Sequence, residues 1–248
     1  MEILRARLLS AFPHGFTTRR EGASGPPFDR GNLGGGVGDD PAAVEANWEA
    51  LRRATGLAFA RVRQVHGDRV VTAAAACGAQ DEADAIVSRT PGVAACVAVA
   101  DCVPILLADP RSGAVAAVHA GWRGTLARVA ARAVEVLARE AGTAPGDLLA
   151  AIGPAIGPCC FDVSPDLADR FKAELGARVA AARARGARVD LFLANELVLR
   201  DAGVPRDHID ALGRCTSCEA DAFFSHRRDA ARSGRQVGFI APAGRALP

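Results

Sequence analysis

Tyrosine is absent from this 248-residue chain, and lysine occurs once, as Lys172. A lone lysine argues against Schiff-base and P-loop lysine chemistry, which both need an amine at a defined place. The remaining basic residues are arginines in an alanine-rich chain, a composition bias that leaves arginine counts with little chemical meaning. Net charge is also scarce, at +2, so neither nucleic acid nor a membrane surface is the expected partner. No uninterrupted apolar run reaches transmembrane length. The first residues, MEILRARLLSAFPHG, have their apolar segment broken by two arginines and lack a signal-peptide core. The seven cysteines are odd in number and irregularly spaced, in a chain too large to need staples. Reduced thiols in a soluble, cytoplasmic protein are therefore expected. A small-molecule substrate and a monomer or homodimer are separate expectations that the cysteines do not supply.

What the chain does have is concentrated between Asp101 and Gly124, DCVPILLADPRSGAVAAVHAGWRG. Two apolar runs flank Asp109-Pro110-Arg111-Ser112-Gly113, a set of turn formers. This predicts a hairpin with strands over Ala95–Ala108 and Ala114–Ala120. Folded about Arg111, it brings Cys102 roughly opposite His119, two good ligands for a soft or borderline metal. Pro104 cannot donate to a ladder, which predicts a bulged or edge strand there. Ala-Gly-Trp-Arg-Gly then leads into a helical pattern from Thr125 to Ala141. A helix start at such a turn exposes backbone N–H groups, a natural anion site.

Elsewhere, Ile3–Phe12 reads as a strand, and the glycine-dense Gly31–Gly38 as an ordered loop without a P-loop lysine. Asp40-Pro41 starts a helix to about Ala54, with Trp48 and Leu51 at core spacing. Arg61–Val71 alternates as a strand bent at Gly67, with His66 at the bend; a lone histidine there is commonly a solvated turn residue. Asp81–Val87 is an acidic turn entering a short strand. Leu148–Ile152 predicts a strand, Ser164-Pro165 a helix to Leu175, Ala177–Arg188 a weakly amphipathic helix, and Asp190–Asp201 another. A strand near His208–Leu212, a strand beginning in Asp221–His226 and a last strand over Gln236–Ala241 follow. Cys215-Thr216-Ser217-Cys218 is a CxxC whose further ligands for a structural zinc, Cys159 and Cys160, would need unusual geometry; packed thiols are the preferred account. No linker or repeat divides residues 1–248, so one α/β (α+β) domain with a mixed sheet core flanked by helices is expected.

These motifs together resemble the YfiH family, the laccase-domain or polyphenol oxidase-like proteins also called peptidoglycan-editing factors. The matching stretches are FTTR from Phe16, Asn32-Leu33, QVHG from Gln64, ADAIV from Ala83, ADCVPILLADP from Ala100 and HAGWRG from His119. IGPAIG from Ile152, CTSC from Cys215 and FFSHRRD from Phe223 complete them, with His226 where the family usually has tyrosine. The resemblance implies a sandwich like that of a bacterial deamidase toxin. It also implies a zinc held by His66, Cys102 and His119, a donor set that would also accept copper. Three ligands and an open position suit a catalytic ion.

The implied activity is phosphorolysis of adenosine, inosine or methylthioadenosine, with adenosine deamination as a second activity. A true laccase needs many more histidines than the five present, so that name is disfavoured. Phosphate recognition is expected from Arg19 and Arg123, with Asn32, Gln64 and Arg228 as further substrate or phosphate contacts. Asp84 and Asp101 are expected as proton-transfer groups or as orienters of the metal ligands. Two other classes stay open: a cysteine hydrolase acting on wall precursors with Cys102 as nucleophile and His119 as base, and a non-enzymatic metal-binding protein.

Overall fold

The computed structural model describes residues 1–73, 81–184, 186–230 and 232–243. In chain order the first half contains β1 (Ile3–Leu4), β2 (His14–Thr17), α1 (Pro41–Thr55), β3 (Ala58–Ala60), β4 (Val70–Thr72), β5 (Ala85–Ser88), β6 (Val93–Val99), β7 (Val103–Ala108) and β8 (Val115–Ala120). The second half contains α2 (Trp122–Leu126), α3 (Val129–Ala141), β9 (Leu149–Ile152), β10 (Asp162–Val163), α4 (Pro165–Leu175), β11 (Ala180–Ala182), β12 (Ala187–Val189), α5 (Leu191–Asp201), β13 (Ile209–Ala211), α6 (His226–Asp229) and β14 (Gln236–Ile240).

Two mixed sheets carry the fold, ordered β1-β2-β14-β6-β3 and β13-β9-β7-β8-β5-β4. Strand alternation decides what lies between them. On the second sheet Ile86, Leu106, Ala108, Val115, Ala117 and Ala151 point toward Phe16, Ala95, Val97 and Ile240 of the first. Their neighbours Val87, Ile105, Leu107, Ala116 and Val118 point the other way, onto Val129, Val134 and Leu137 of α3 and Leu191 and Val198 of α5. The far face of the first sheet buries Ala94, Cys96 and Phe239 under Trp48 and Leu51 of α1. The result is a four-layer arrangement of helix, sheet, sheet and helices, the mixed-sheet core flanked by helices that the sequence predicts. No helix among the described residues is long and apolar enough to cross a membrane.

Local signals are obeyed where the chain carries strong punctuation. Asp40 caps α1 by accepting from the Ala42 N–H, Pro41 occupies the first turn and Gly56 ends the helix at φ 67°. Ser164 and Asp190 cap α4 and α5 in the same way. Several expectations fail. The strand predicted over Ala95–Ala108 is two strands in different sheets, broken at Asp101, whose φ of 85° turns the chain from one sheet to the other. Pro104 lies in the interior of its sheet, opposite His119, rather than at an edge. Its carbonyl accepts from Gly153 N–H just beyond the last β7–β9 pair, so the bond proline cannot return is lost only where that pairing ends.

The helix expected from Thr125 is split into α2 and α3 at Arg128, which adopts φ 60°. The Ala177–Arg188 stretch, helical by propensity, forms strands β11 and β12 in a small sheet with β10, turned at Gly186 with φ 82°. Pairing of β12 with both β10 and β11, with Ala187 and Val189 buried on β12, outweighs helix propensity. Only Ile3–Leu4 of the first predicted strand is extended, followed by a 3-10 turn at Arg7–Leu9. The Arg61–Val71 strand is reduced to β4, and Asp221–His226 enters the short helix α6 rather than a strand.

Phe16 reaches across the inter-sheet layer into a hollow made by glycines. A Cβ on Gly153 would collide with the Phe16 ring, and one on Gly238 would lie 3.1 Å from Phe16 Cδ1. Gly153→Ala is therefore expected to lower stability by about 1–3 kcal/mol through overpacking. Urea unfolding would read this as a lower midpoint at unchanged slope; an unchanged midpoint would show that the ring can move aside.

Candidate active site

His66, Cys102 and His119 come from three separate pieces of chain: the β3–β4 loop, the crossover between the sheets, and β8. Their ligand atoms lie within 4.8 Å of one another. The two imidazoles meet edge to face, centroids 4.9 Å apart and planes at 79°. The observed register pairs His119 with Pro104 and Ala120 with Val103, so Cys102 falls one step past the end of β7, close to the pairing that folding about Arg111 predicts. Gly121 makes room for the cluster. A Cβ there would sit 3.0 Å from His66 Cδ2 and 3.1 Å from Cys102 Sγ.

Asp84 binds this group together. Its side chain is fully buried, and Oδ1 accepts from His119 Nδ1 at 2.8 Å and from His66 N–H at 2.9 Å. Oδ2 accepts from Gly67 N–H at 2.7 Å and Val65 N–H at 3.3 Å. With Nδ1 occupied, His119 has Nε2 left as the nitrogen that could hold a metal, as in a carboxylate–histidine–metal relation. Asp84 also clamps the backbone of His66 at φ 62°, a left-handed conformation that a non-glycine residue holds only under external constraint. Burial works to raise the Asp84 pKa, but the His119 hydrogen bond and the Gly67 N–H outweigh it and hold the carboxyl below its ordinary value. Both oxygens are thus engaged, which suits an orienter of ligands.

Asp101 is tied just as firmly. Thr216 Oγ1 donates to Oδ1 and Arg227 N–H to Oδ2, each at 2.6 Å, while the Asp101 carbonyl accepts from Ile156 N–H. These bonds fix the turn that delivers Cys102. Burial would push the Cys102 thiol up, yet His119 and His66 overcome it and bring its pKa down to about 6. His119 is raised to about 9: burial opposes this, and the Cys102 and Asp84 charges prevail. Without a metal the pair is therefore thiolate and imidazolium around neutral pH. Cys96, also lining the cleft, is an inert thiol that burial pushes up to about 12.

The three residues open into a cleft of about 990 Å³, at the upper end of ordinary small-molecule sites. Arg123 lines it, exposed and stacked on Trp122 at 4.2 Å. Gln64 lines it too, but its amide makes both bonds to the Ala98 backbone, at 2.8 Å each, and so fixes the strand end beside His66. Asn32 stands behind the wall, accepting from Gly34 and Arg235 N–H and donating to Asp39. The Leu33–Val37 backbone that it shapes is what faces the cleft.

Two predicted phosphate arginines do not line this cleft. Arg19 donates to the carbonyls of Asp29 and Ala220, lies 4.4 Å over Phe224 and borders a separate surface pocket. Arg228 spends its guanidinium on Asp229 and on the carbonyls of Thr216, Ser217 and Phe223. Both arginines cross-link loops. The anion site expected at the start of a long helix is also diminished, because α2 has only five residues.

Sequence reasoning missed Arg235. It lines the cleft and is partly buried, which lowers its pKa, against the favourable pull of the Cys102 and Asp101 charges. Its Nη1 donates to the carbonyls of Ser233 and Gly234. The available signal was Ser-Gly-Arg immediately before an apolar strand, an arginine at a strand end. Cys159, Cys160, Cys215 and Cys218, expected to be packed thiols, instead gather at one place, and only Cys215 is buried.

A sequence profile described as multi-copper polyphenol oxidoreductase laccase matches residues 13–243. The purine nucleoside phosphorylase of Deinococcus radiodurans is 44% identical over 244 residues, spanning 97% of this chain and 92% of that protein. The purine nucleoside phosphorylase YfiH of Escherichia coli is 39% identical over 229 residues, 90% of this chain and 91% of its own. The crystal structure of YlmD from Geobacillus stearothermophilus superimposes with a TM-score of 0.90 at 35% identity, over 96% of this chain and 94% of that one. A Neisseria meningitidis crystal structure superimposes with 0.88 at 36% identity, over 98% and 100%.

Two tests follow from the geometry. In metal-free protein, alkylation of Cys102, followed by mass spectrometry of its peptide, should accelerate through a midpoint of about pH 6. Below it the sulfur is a protonated thiol and above it a thiolate; a midpoint near the ordinary ~8.5 would refute the thiolate–imidazolium pair. Gly121→Ala, which strains no backbone angle, should weaken metal binding at the His-Cys-His cluster by about tenfold or more, the scale of disturbed ligand support. Unchanged affinity in a chelator competition would mean the two ligands yield to the added methyl.

Proposed function

We propose a function from one premise: this chain belongs to the multi-copper polyphenol oxidoreductase laccase family. Its relatives named purine nucleoside phosphorylase cover nearly its whole length. The function proposed is phosphorolysis of purine nucleosides in the cleft above His66, Cys102 and His119. The observation that carries it is the convergence of a two-histidine, one-cysteine donor set with two arginines, Arg123 and Arg235, on one cleft of nucleoside size.

The donor set fits zinc: one thiolate, two imidazoles, His119 Nδ1 already bonded to a carboxylate, and a cleft on the open side. Bound there, the ion would supply Lewis acidity toward an oxygen of the substrate. The protein's own groups do the rest. Arg123 and Arg235 attract and orient a phosphate dianion, which must approach the sugar C1′ as the purine departs. Trp122, Phe161 and Leu33 offer apolar surface for the base and exclude water. Asp84 aligns the His119 imidazole and holds the His66 backbone, and Asp101 holds the turn that carries Cys102. A multi-copper oxidase is not supported. Of the five histidines, His14 and His208 are bonded to backbone groups away from the cluster, leaving too few for further copper centres.

One observation favours a second reading, a cysteine hydrolase. Cys102 and His119 form a thiolate–imidazolium pair when no metal intervenes, the arrangement of an activated nucleophile. The two readings differ in substrate and in product. Zinc-loaded protein is incubated with adenosine, with and without phosphate, and adenine, inosine and hypoxanthine are resolved by chromatography. Phosphate-dependent adenine, abolished in Cys102→Ala, is the expected result. Arg235→Gln should raise the KM for phosphate about tenfold or more with a smaller effect on that for adenosine, as for a lost charged hydrogen bond. Inosine formed without phosphate would identify deamination. Absence of any purine product, with an acyl group trapped on Cys102 when metal-free protein is offered an amide-bearing wall precursor, would favour the hydrolase.

A further inference from the structure

The four gathered cysteines have no part in that chemistry. Strands β9 and β13 are parallel neighbours, so they leave the sheet at the same end. Their exit loops stay side by side: Ala155 N–H donates to the Arg214 carbonyl, and Thr216 N–H to that of Ala155. One loop then turns at Gly157, with Cys160 and Phe161 N–H both donating to its carbonyl, and presents Cys159 and Cys160. The other presents the Cys215-Thr216-Ser217-Cys218 turn. The sulfur of Cys218 stands 3.5 Å from that of Cys159 and 3.4 Å from that of Cys160, and all four sulfurs lie within 4.8 Å of one another.

We propose that Cys159, Cys160, Cys215 and Cys218 form a second metal site, a closed tetrathiolate site for zinc that is structural in role. Four sulfurs each about 2.3 Å from a tetrahedral ion are about 3.8 Å apart, close to the spacing found. A disulfide would need only two of the four and gives no reason for the others to surround a common centre. The surroundings suit concentrated negative charge. Gly157 N–H donates to Cys215 Sγ at 3.2 Å. Arg227 spans the carbonyls of Cys160 and Asp162, and Arg188, paired with Asp162, feels the charges of Cys159 and Cys160. Gly157 also spares the space: a Cβ there would meet Cys159 Sγ and Cys215 Cβ at 3.2 Å. On binding, the four thiols release their protons to solvent and the ion takes four thiolates. No position remains open for substrate, in contrast to the His-Cys-His site.

The ion would join two loops that wall the cleft. Ile156, Phe161 and Arg227 line it, and Thr216 and Arg227 hold Asp101 beside Cys102. The proposal does not depend on the reaction assigned to that cleft.

Metal content decides it. Protein purified with reductant and saturated with zinc should hold two equivalents per chain after gel filtration. Cys102→Ala should retain one, the exposed-site variant Cys218→Ser one, and the double variant none. In Cys102→Ala, cobalt(II) should give the intense thiolate charge-transfer and red-region bands of an all-sulfur tetrahedral ion. If Cys218→Ser fails to fold, that spectrum alone decides, and its absence overturns the site. A single zinc in the wild-type protein that vanishes in Cys102→Ala also overturns it. Iron held in the thiolate cage, seen as a red protein, would overturn the zinc assignment.

Discussion

A single buried carboxylate sets the geometry on which the rest of the site depends. Asp84 stands at the start of β5, where sheet pairing fixes its backbone, and its two oxygens serve one imidazole and three consecutive backbone N–H groups. One rigid anion therefore aligns His119 and shapes the loop that offers His66. A buried unpaired carboxylate would be prohibitively costly, so loop and histidine must close on it together. The site is in this sense a by-product of satisfying one charge.

A second constraint lies in the crossing between the sheets. Asp101 takes a positive-φ conformation that is uncommon outside glycine, although aspartate tolerates it better than most residues, and partners from the 214–229 region hold it there by saturating its carboxylate. Cys102 follows directly. The position of the Cys102 sulfur thus rests on segments more than a hundred residues further along the chain. Arg19 and Arg228, which sequence patterns suggest as ligand contacts, serve this same bracing of loops.

Much of the fold was legible because its signals are local. Asp40-Pro41, Ser164-Pro165 and Asp190 mark helix starts by capping chemistry, and the turn at Asp109–Gly113 dictates the β7–β8 hairpin. Cys102 and His119 were legible for the same reason, being two ends of one hairpin. His66 was not, since its place beside Cys102 and His119 depends on Asp84, and only the family resemblance pointed to it. The misreadings share one cause. Ala95–Ala108 looks continuous because both of its strands are apolar on both faces, and nothing in such a run reveals that it changes sheets. Ala177–Arg188 is helical by propensity, but its pairing partner lies at Asp162–Val163, outside any local window. The four cysteines converge only because β9 and β13 are parallel neighbours, a fact of topology.

The place of β14 has a consequence for how the chain comes to be folded. It fills the gap between β2 and β6, pairing Gly238 with Phe16, residues more than two hundred positions apart. Until residues 236–240 have been synthesised, β2 and β6 have no partner between them, and the edges they offer it stay unpaired. At about 5–20 residues per second that interval is on the order of 10–40 s. Contacts of such long range are slow to form, so the five-stranded sheet closes late. The edges of β2 and β6 that β14 joins are thus open to pairing with other chains until that strand arrives, the ordinary hazard of an unpaired sheet edge.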